Sequence, residues 1–315
     1  NRWDRSEKAY KALVDGEGEY FVNAIEAIQD SYNDNISDEF VKPKIICKNS
    51  IIKNGDTILT YNYRADRMRQ MCRAFTEKGF SEFKIKNLKL SFVSMTKYKH
   101  DFQFPTFYKR EKLGKIFPEI LSKNGFKQLR IAETEKYAHV TYFFNGGEEK
   151  LFPGEVRKMV PSPNVTTYDL QPEMSANKIT NEVINAINKE LYDAIIVNYA
   201  NPDMVGHTGK LDAAQRAIEI VDTCVGKIST KVKDNDGVVF LSADHGNLEM
   251  MIDYTTKGPH TQHTTLPVPF VLDASDNSIT LNGNGKLSDI APTILDYLGI
   301  DQPKVMTGKS LLKRI

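Results

Sequence analysis

The sequence predicts an α/β protein built on a parallel sheet with helices on both faces. Three observations predict it. Short apolar runs such as DAIIVNYA (193–200) and GVVFL (237–241) recur from about residue 109 onward. Longer segments with helical apolar spacing separate them, the pattern of strands joined by crossover helices. Side chains of ligand type collect just past the runs, where such sheets bind their ligands. The 315 residues are enough for about two domains.

Residues 1–108 form the first predicted region. SEKAYKALV and EYFVNAIEAIQDSY have the apolar spacing of amphipathic helices. DTILTYNY (56–63) reads as a strand, the basic RADRMRQMCRAF as a helix, and LKLSFVSMTKY (88–98) as another strand. HDFQFPTFYKRE carries Pro105 and no clear period, and is the predicted linker.

Residues 109–315 form the second region. KLGKIFPEILSKNG reads as a helix closed by Gly125. KQLRIAE and HVTYFF read as strands. Ser175 is a candidate cap for a helix through Ile179, Val183, Ile184, Ile187 and Leu191. After the strand DAIIVNYA comes NPDMVGHTG, where Pro202 and Gly206 argue for a loop. Leu211, Ala214, Ile218, Val221, Val225, Ile228 and Val232 then share one helical face. GVVFLSADHGN is a buried strand with a polar exit, and LPVPFVLD and a helix over LSDIAPTILDYLG complete the pattern.

Composition removes several function classes. Forty-two basic and 41 acidic residues nearly cancel, so no nucleic-acid or membrane-surface partner is expected. No apolar run approaches the roughly 18 residues of a membrane span. Three distant cysteines imply no disulfide framework and fit a reducing, cytoplasmic setting. NRWDRSEKAY, beginning at Asn rather than Met, does not look like a signal peptide; a fragment or processed product is expected.

Four of the six histidines, His207, His245, His260 and His263, lie in PDMVGH, SADHG and PHTQH. Asp and His together suit divalent ions such as Zn²⁺ and Mn²⁺, and no Cys is near to bring thiolate chemistry. Neighbouring Asp244 and His245 point apart, so they can serve two ions, or an ion and a substrate. Two ions would clamp a phosphoryl group during in-line displacement. His260 is the weakest member of the set, and His100 reads as surface. Arg64 and Arg67 share one helical face and suit phosphate or carboxylate; a solvated face with Asp66 as partner is the competing reading. Lys136 is either a surface lysine or a phosphate ligand. MTGKS (306–310) ends like a P-loop, but Pro303 stands where the first Gly is needed. NGNGK is a turn, and no G-x-S-x-G elbow is present.

Together QLRIAETEKYAHVTYFFNGGEE, YDLQPEMSA, NYANPDMVGHTG, SADHGN and PHTQHTTLPVPF resemble the cofactor-independent phosphoglycerate mutases. So do YNYRADRMRQ, NRWDR, DIAPTILDYLG and MTGKSL, in family order across almost the whole chain. The resemblance implies an alkaline-phosphatase-like doubly wound sheet, incomplete here, with part of an inserted α/β transferase domain. Residues 1–108 would be the C-terminal part of that substrate-binding domain and 109–315 the phosphatase-like domain. It implies interconversion of 3- and 2-phosphoglycerate through a phosphoserine, with two divalent ions, Mn²⁺ first and Mg²⁺, Co²⁺ or Zn²⁺ as substitutes. Asp203, His207 and His263 resemble the ligands of one ion; Asp244 and His245 resemble two ligands of the other. Arg64 and Arg67 resemble substrate-binding arginines, and Lys136 resembles the lysine that steadies nucleophile and phosphoryl group. The family's N-terminal segment carries the nucleophilic serine, and no serine here matches it; Ser242 is no substitute. The expectation is that this chain alone is inactive, that its missing partner is the N-terminal segment, and that the full-length protein is a monomer. Neutral imidazoles and ionised carboxylates are needed for ligation, so activity is expected to fall below about pH 6.5. The competing readings are another phosphomutase or phosphatase of the same superfamily, and a non-catalytic metal-binding fragment.

Overall fold

The computed structural model describes residues 3–47, 49–62, 65–99, 101–108 and 113–315, without the side chains of Glu39, Asp66 and Arg67. The chain divides into two compact units, Asn1–Glu111 and Lys112–Ile315.

In the first unit α1 (Trp3–Val14) leads to β1 (Glu19–Tyr20), α2 (Ala24–Asn33) and β2 (Lys44–Ile45). The predicted helix over 19–32 is therefore split. Asn23 explains where α2 begins, since its Oδ1 accepts the Glu26 N–H at 2.9 Å. Then follow β3 (Thr57–Thr60), α3 (Asp66–Thr76), β4 (Ser91–Thr96) and β5 (Thr106–Tyr108). The predicted linker contains β5, which pairs parallel with β4. Pro105 stands just before this edge strand, where it removes no ladder bond, and Thr106, Phe107 and Tyr108 favour extended chain. Tyr10, Val14 and Ala74 form one small core with Phe75, Phe80 and Phe83 around it. Cys72, Phe92 and Tyr98 form another.

In the second unit α4 (Phe117–Lys123) ends near Gly125, whose φ is 81°. β6 (Gln128–Glu133) is the middle of the sheet β7-β6-β8, parallel on both sides, with β7 at Glu155–Val160 and β8 at Ala194–Asn198. Every residue of β6 is buried. Leu129 and Ile131 pack on Ile179, Val183 and Ala186 of α5 (Ala176–Asn188). On the opposite face Gln128 bonds Pro118 O and Arg130 lies over the Phe144 ring. Each fully buried aliphatic side chain contributes about 1.5–3 kcal/mol. Ser175 precedes α5, but its Oγ donates to Pro161 O at 2.7 Å rather than capping the helix.

The predicted strand over HVTYFF is instead a π-helical turn, His139–Phe143. Thr141 Oγ1 bonds Tyr137 O, a local bond that outweighs strand propensity. The expected loop at 201–206 is α6 (Asn201–Gly206). Pro202 lies in its first turn, where no N–H is needed, and Gly206 closes it. α7 (Leu211–Lys233) follows as predicted and leads to β9 (Val238–Ser242). β9 pairs antiparallel with β10 (Phe270–Ala274), a departure from an all-parallel sheet. β11 (Ile279–Leu281), α8 (Ile290–Tyr297) and β12 (Leu312–Arg314) end the unit. Among the described residues no helix is long and apolar enough to cross a membrane.

Candidate metal centre

The exits of β6, β8 and β9 bring side chains to one place. Asp203 and His207 stand four residues apart on one side of α6, so both reach the same point. Asp203 Oδ1 lies 3.2 Å from His207 Nε2 and 2.9 Å from His263 Nε2. The two Nε2 atoms are 3.1 Å apart. His207 Nδ1 lies 2.7 Å from Thr261 O. A carbonyl only accepts, so Nδ1 carries a proton, which turns Nε2 toward Asp203 and His263. One carboxylate oxygen and two ring nitrogens at such distances need a proton or a cation between them.

The spacing suits a cation. With edges of 3.2, 2.9 and 3.1 Å, the three atoms lie about 1.8 Å from their common centre, so an ion at the usual ~2.0–2.2 Å would sit just above their plane. Burial pushes the His263 imidazole pKa down, and neighbouring His245 and His207 add to this against Asp203. Burial alone would push the Asp203 carboxyl up. Hydrogen bonds from His207, Lys136 and Asn247, with the Lys136 charge, outweigh it and hold the carboxyl far below the usual range. Unprotonated imidazole and ionised carboxylate are the forms that ligate.

His245 stacks on His263 with ring centres 3.7 Å apart, and Asp203, His245 and His263 offer ligand atoms within 4.8 Å of one another. His245 thus stands beside the set expected for the first ion. Asp244 is half exposed, with one carboxylate oxygen 3.6 Å from His245 Nε2.

Lys136 sits in the turn after β6, its N–H bonded to Glu133 O. Its ammonium pairs with Asp203 Oδ2, the oxygen turned away from the imidazoles. The turn is tied down by Ser162, whose Oγ donates to buried Glu133 at 2.8 Å and whose N–H donates to Thr134. Burial raises the Glu133 carboxyl pKa. Arg64 lies outside the described residues, and Arg67 is described only as a backbone position in α3.

Sequence reasoning missed Asn247, Glu249 and Thr264. Asn247 Nδ2 donates to Asp203 Oδ1 at 2.9 Å, while Glu249 accepts the Asn247 N–H and the Thr264 hydroxyl. The one available signal was their position beside Asp244, His245 and His263.

A family model described as the Metalloenzyme superfamily matches residues 14–302. The chain belongs to the metalloenzyme superfamily. Within it, the chain is 51% identical over 99% of its length to the 2,3-bisphosphoglycerate-independent phosphoglycerate mutase of Clostridium beijerinckii. It is 52% identical, over the same share, to that of Clostridium tetani. The chain spans 62% of the length of both relatives. A crystal structure of Leishmania mexicana phosphoglycerate mutase at low cobalt concentration matches with a TM-score of 0.86 and 29% identity, covering 99% of this chain and 62% of that one. A donor set of Asp and His, with no Cys, fits the divalent-ion chemistry of a metalloenzyme.

Proposed function

We propose that these residues serve a phosphoglycerate mutase that interconverts 3- and 2-phosphoglycerate by phosphoryl transfer through a phosphoserine. The observation that carries the reading is the meeting of Asp203, His207 and His263 with Lys136 on the free oxygen of Asp203. Asp203, His207 and His263 would hold one divalent ion; Asp244 and His245 would contribute to a second. Mn²⁺ is the first choice, with Mg²⁺, Co²⁺ and Zn²⁺ as substitutes. Bound there, the ions would neutralise phosphoryl charge and lower the pKa of the attacking hydroxyl.

The chain's own residues do the rest. Lys136 places a fixed positive charge beside the ligand set, where it would steady the phosphoryl oxygens. Glu133, Ser162 and Thr134 hold its turn rigid. His207 is kept in one tautomer by Thr261. Arg64 and Arg67 would bind the glycerate carboxylate or phosphate. The nucleophilic serine is assigned to the part of the relatives' length that this chain does not span, and Ser242 is not given that role. Residues 1–108 would form part of the substrate-binding domain and 109–315 the metal-binding domain. The protein would work in the cytoplasm as a monomer, without nucleic-acid or membrane partners.

The test compares 3-phosphoglycerate, ribose 1-phosphate and an aryl phosphate as substrates. Each is assayed with the 315-residue polypeptide and with a protein that carries the relatives' full length. Mutase turnover that requires the full length, stops in EDTA and returns with Mn²⁺ is the expected result. Preference for either other phosphate would assign the site to a different phosphomutase or phosphatase. Metal binding without turnover in the full-length protein would make it a non-catalytic metal module.

A further inference from the structure

We infer that Asn247 is a positioning residue for the metal centre, holding the Asp203 carboxylate in the orientation that its ligand role needs. The inference rests on the ligand set proposed above.

Asn247 is almost fully buried, at 5% exposure. Its Nδ2 donates to Asp203 Oδ1 at 2.9 Å and approaches the Asp203 backbone oxygen at 3.3 Å. That oxygen of Asp203 is the one facing both imidazoles. The other end of the amide, Oδ1, is buried with no hydrogen-bond partner among the described residues. Turning the amide over would not relieve this, because Oδ1 would then face the carboxylate. The orientation is therefore imposed by Asp203, and the fold carries an unsatisfied buried acceptor to keep it. An apolar side chain of the same shape would avoid that penalty, so packing alone does not account for an asparagine here.

Two neighbouring features serve the same contact. Gly206 is helical and needs no special backbone angle, yet a Cβ there would overlap Asn247 Oδ1 and stand 2.7 Å from its Cγ and 2.8 Å from Leu248. Glycine in NPDMVGH thus makes room for the amide. From the far side, Glu249 accepts the Asn247 N–H at 2.7 Å and the hydroxyl of Thr264, the residue after His263. One carboxylate thereby links the loop of His263 to the backbone of the residue whose side chain orients Asp203. Losing such an outer contact commonly costs about 10–100-fold in metal affinity.

The experiment is a Co²⁺ titration of the 315-residue chain, read by visible d–d absorption and by calorimetry. It uses the parent, Asn247→Leu and Gly206→Ala, with folding checked by thermal melts in EDTA. The inference expects folded Asn247→Leu, whatever its melting temperature, to bind Co²⁺ about 10–100-fold more weakly and to change the absorption band. A purely structural role for Asn247 leaves affinity and band unchanged in the folded variant, and overturns the inference. Gly206→Ala keeps every polar group but displaces the amide, and must show the same loss even if Asn247→Leu fails to fold. A parent chain that takes no Co²⁺ overturns the ligand set, and the inference with it.

Discussion

Replacing Lys136 with Met separates two effects of one ammonium. Lys136 pairs with Asp203 Oδ2, and the two side chains are 9% and 13% exposed. Breaking so buried a pair can cost about 3–5 kcal/mol. Here Asp203 keeps Asn247 Nδ2 at 2.9 Å and two imidazoles within reach. The metal-free variant should therefore lose only about 1–3 kcal/mol, the cost of one unmade bond to a charged group. For metal binding the sign reverses. A dication on the imidazole side of the carboxylate would lie about 5 Å from the ammonium and be repelled by roughly 7 kcal/mol at an effective dielectric near 20. Relaxation of the lysine and solvent reduce this. At least a tenfold tightening, about 1.4 kcal/mol, should remain. Urea unfolding in EDTA measures the first effect and calorimetric titration with Mn²⁺ the second. A folded K136M chain that binds Mn²⁺ no more tightly than the parent would refute the idea that one carboxylate serves both ammonium and ion.

Two predictions concern the scaffold. Arg130 is wholly buried, its Nε and Nη1 have no partner among the described residues, and its Nη2 donates to Gln128; Arg130→Met should lose no more than about 1–3 kcal/mol, the cost of one unmade bond at Gln128, and a larger drop in unfolding free energy would contradict this. Asp289 accepts the backbone N–H groups of Lys309 and Lys286 at 2.8 and 2.7 Å, and these bonds hold its carboxyl below the usual range. The native state then binds fewer protons than the unfolded one, so the contribution is complete above the unfolded value near pH ~3.9 and is lost as pH falls through the folded value. Asp289→Asn should lower Tm at neutral pH and flatten the acid limb of Tm against pH; parallel acid limbs would count against it.

Much of this was legible in the sequence, and the exceptions have local causes. β8 was readable because AIIVN is a nearly unbroken apolar run, and β6 because Leu129 and Ile131 alternate with the polar Gln128 and Arg130. β7 was not: Glu155 is buried by Arg157 and Asn145 while Lys158 points outward, so EVRKMV lacks both signatures. α7 was readable by period, but its buried side is set by Ala213, Ala217 and Cys224, while Leu211 and Ile218 stay half exposed. Small residues allow α5 and α7 to approach, which a count of large apolar residues overlooks. α6 was misread because Pro202 and Gly206 signal breaks inside a helix yet are harmless at its ends. In the candidate site, Asp and His stood out because few residue types ligate metals. Asn247 and Glu249 act through other side chains, and their spacing carries no period that would mark them.

The most direct test of the metal centre is an anomalous difference map from crystals of this chain grown with Mn²⁺. A peak bonded to Asp203 Oδ1, His207 Nε2 and His263 Nε2 is the expected result. An ordered Mn²⁺ elsewhere, with that triangle of atoms empty, would contradict it.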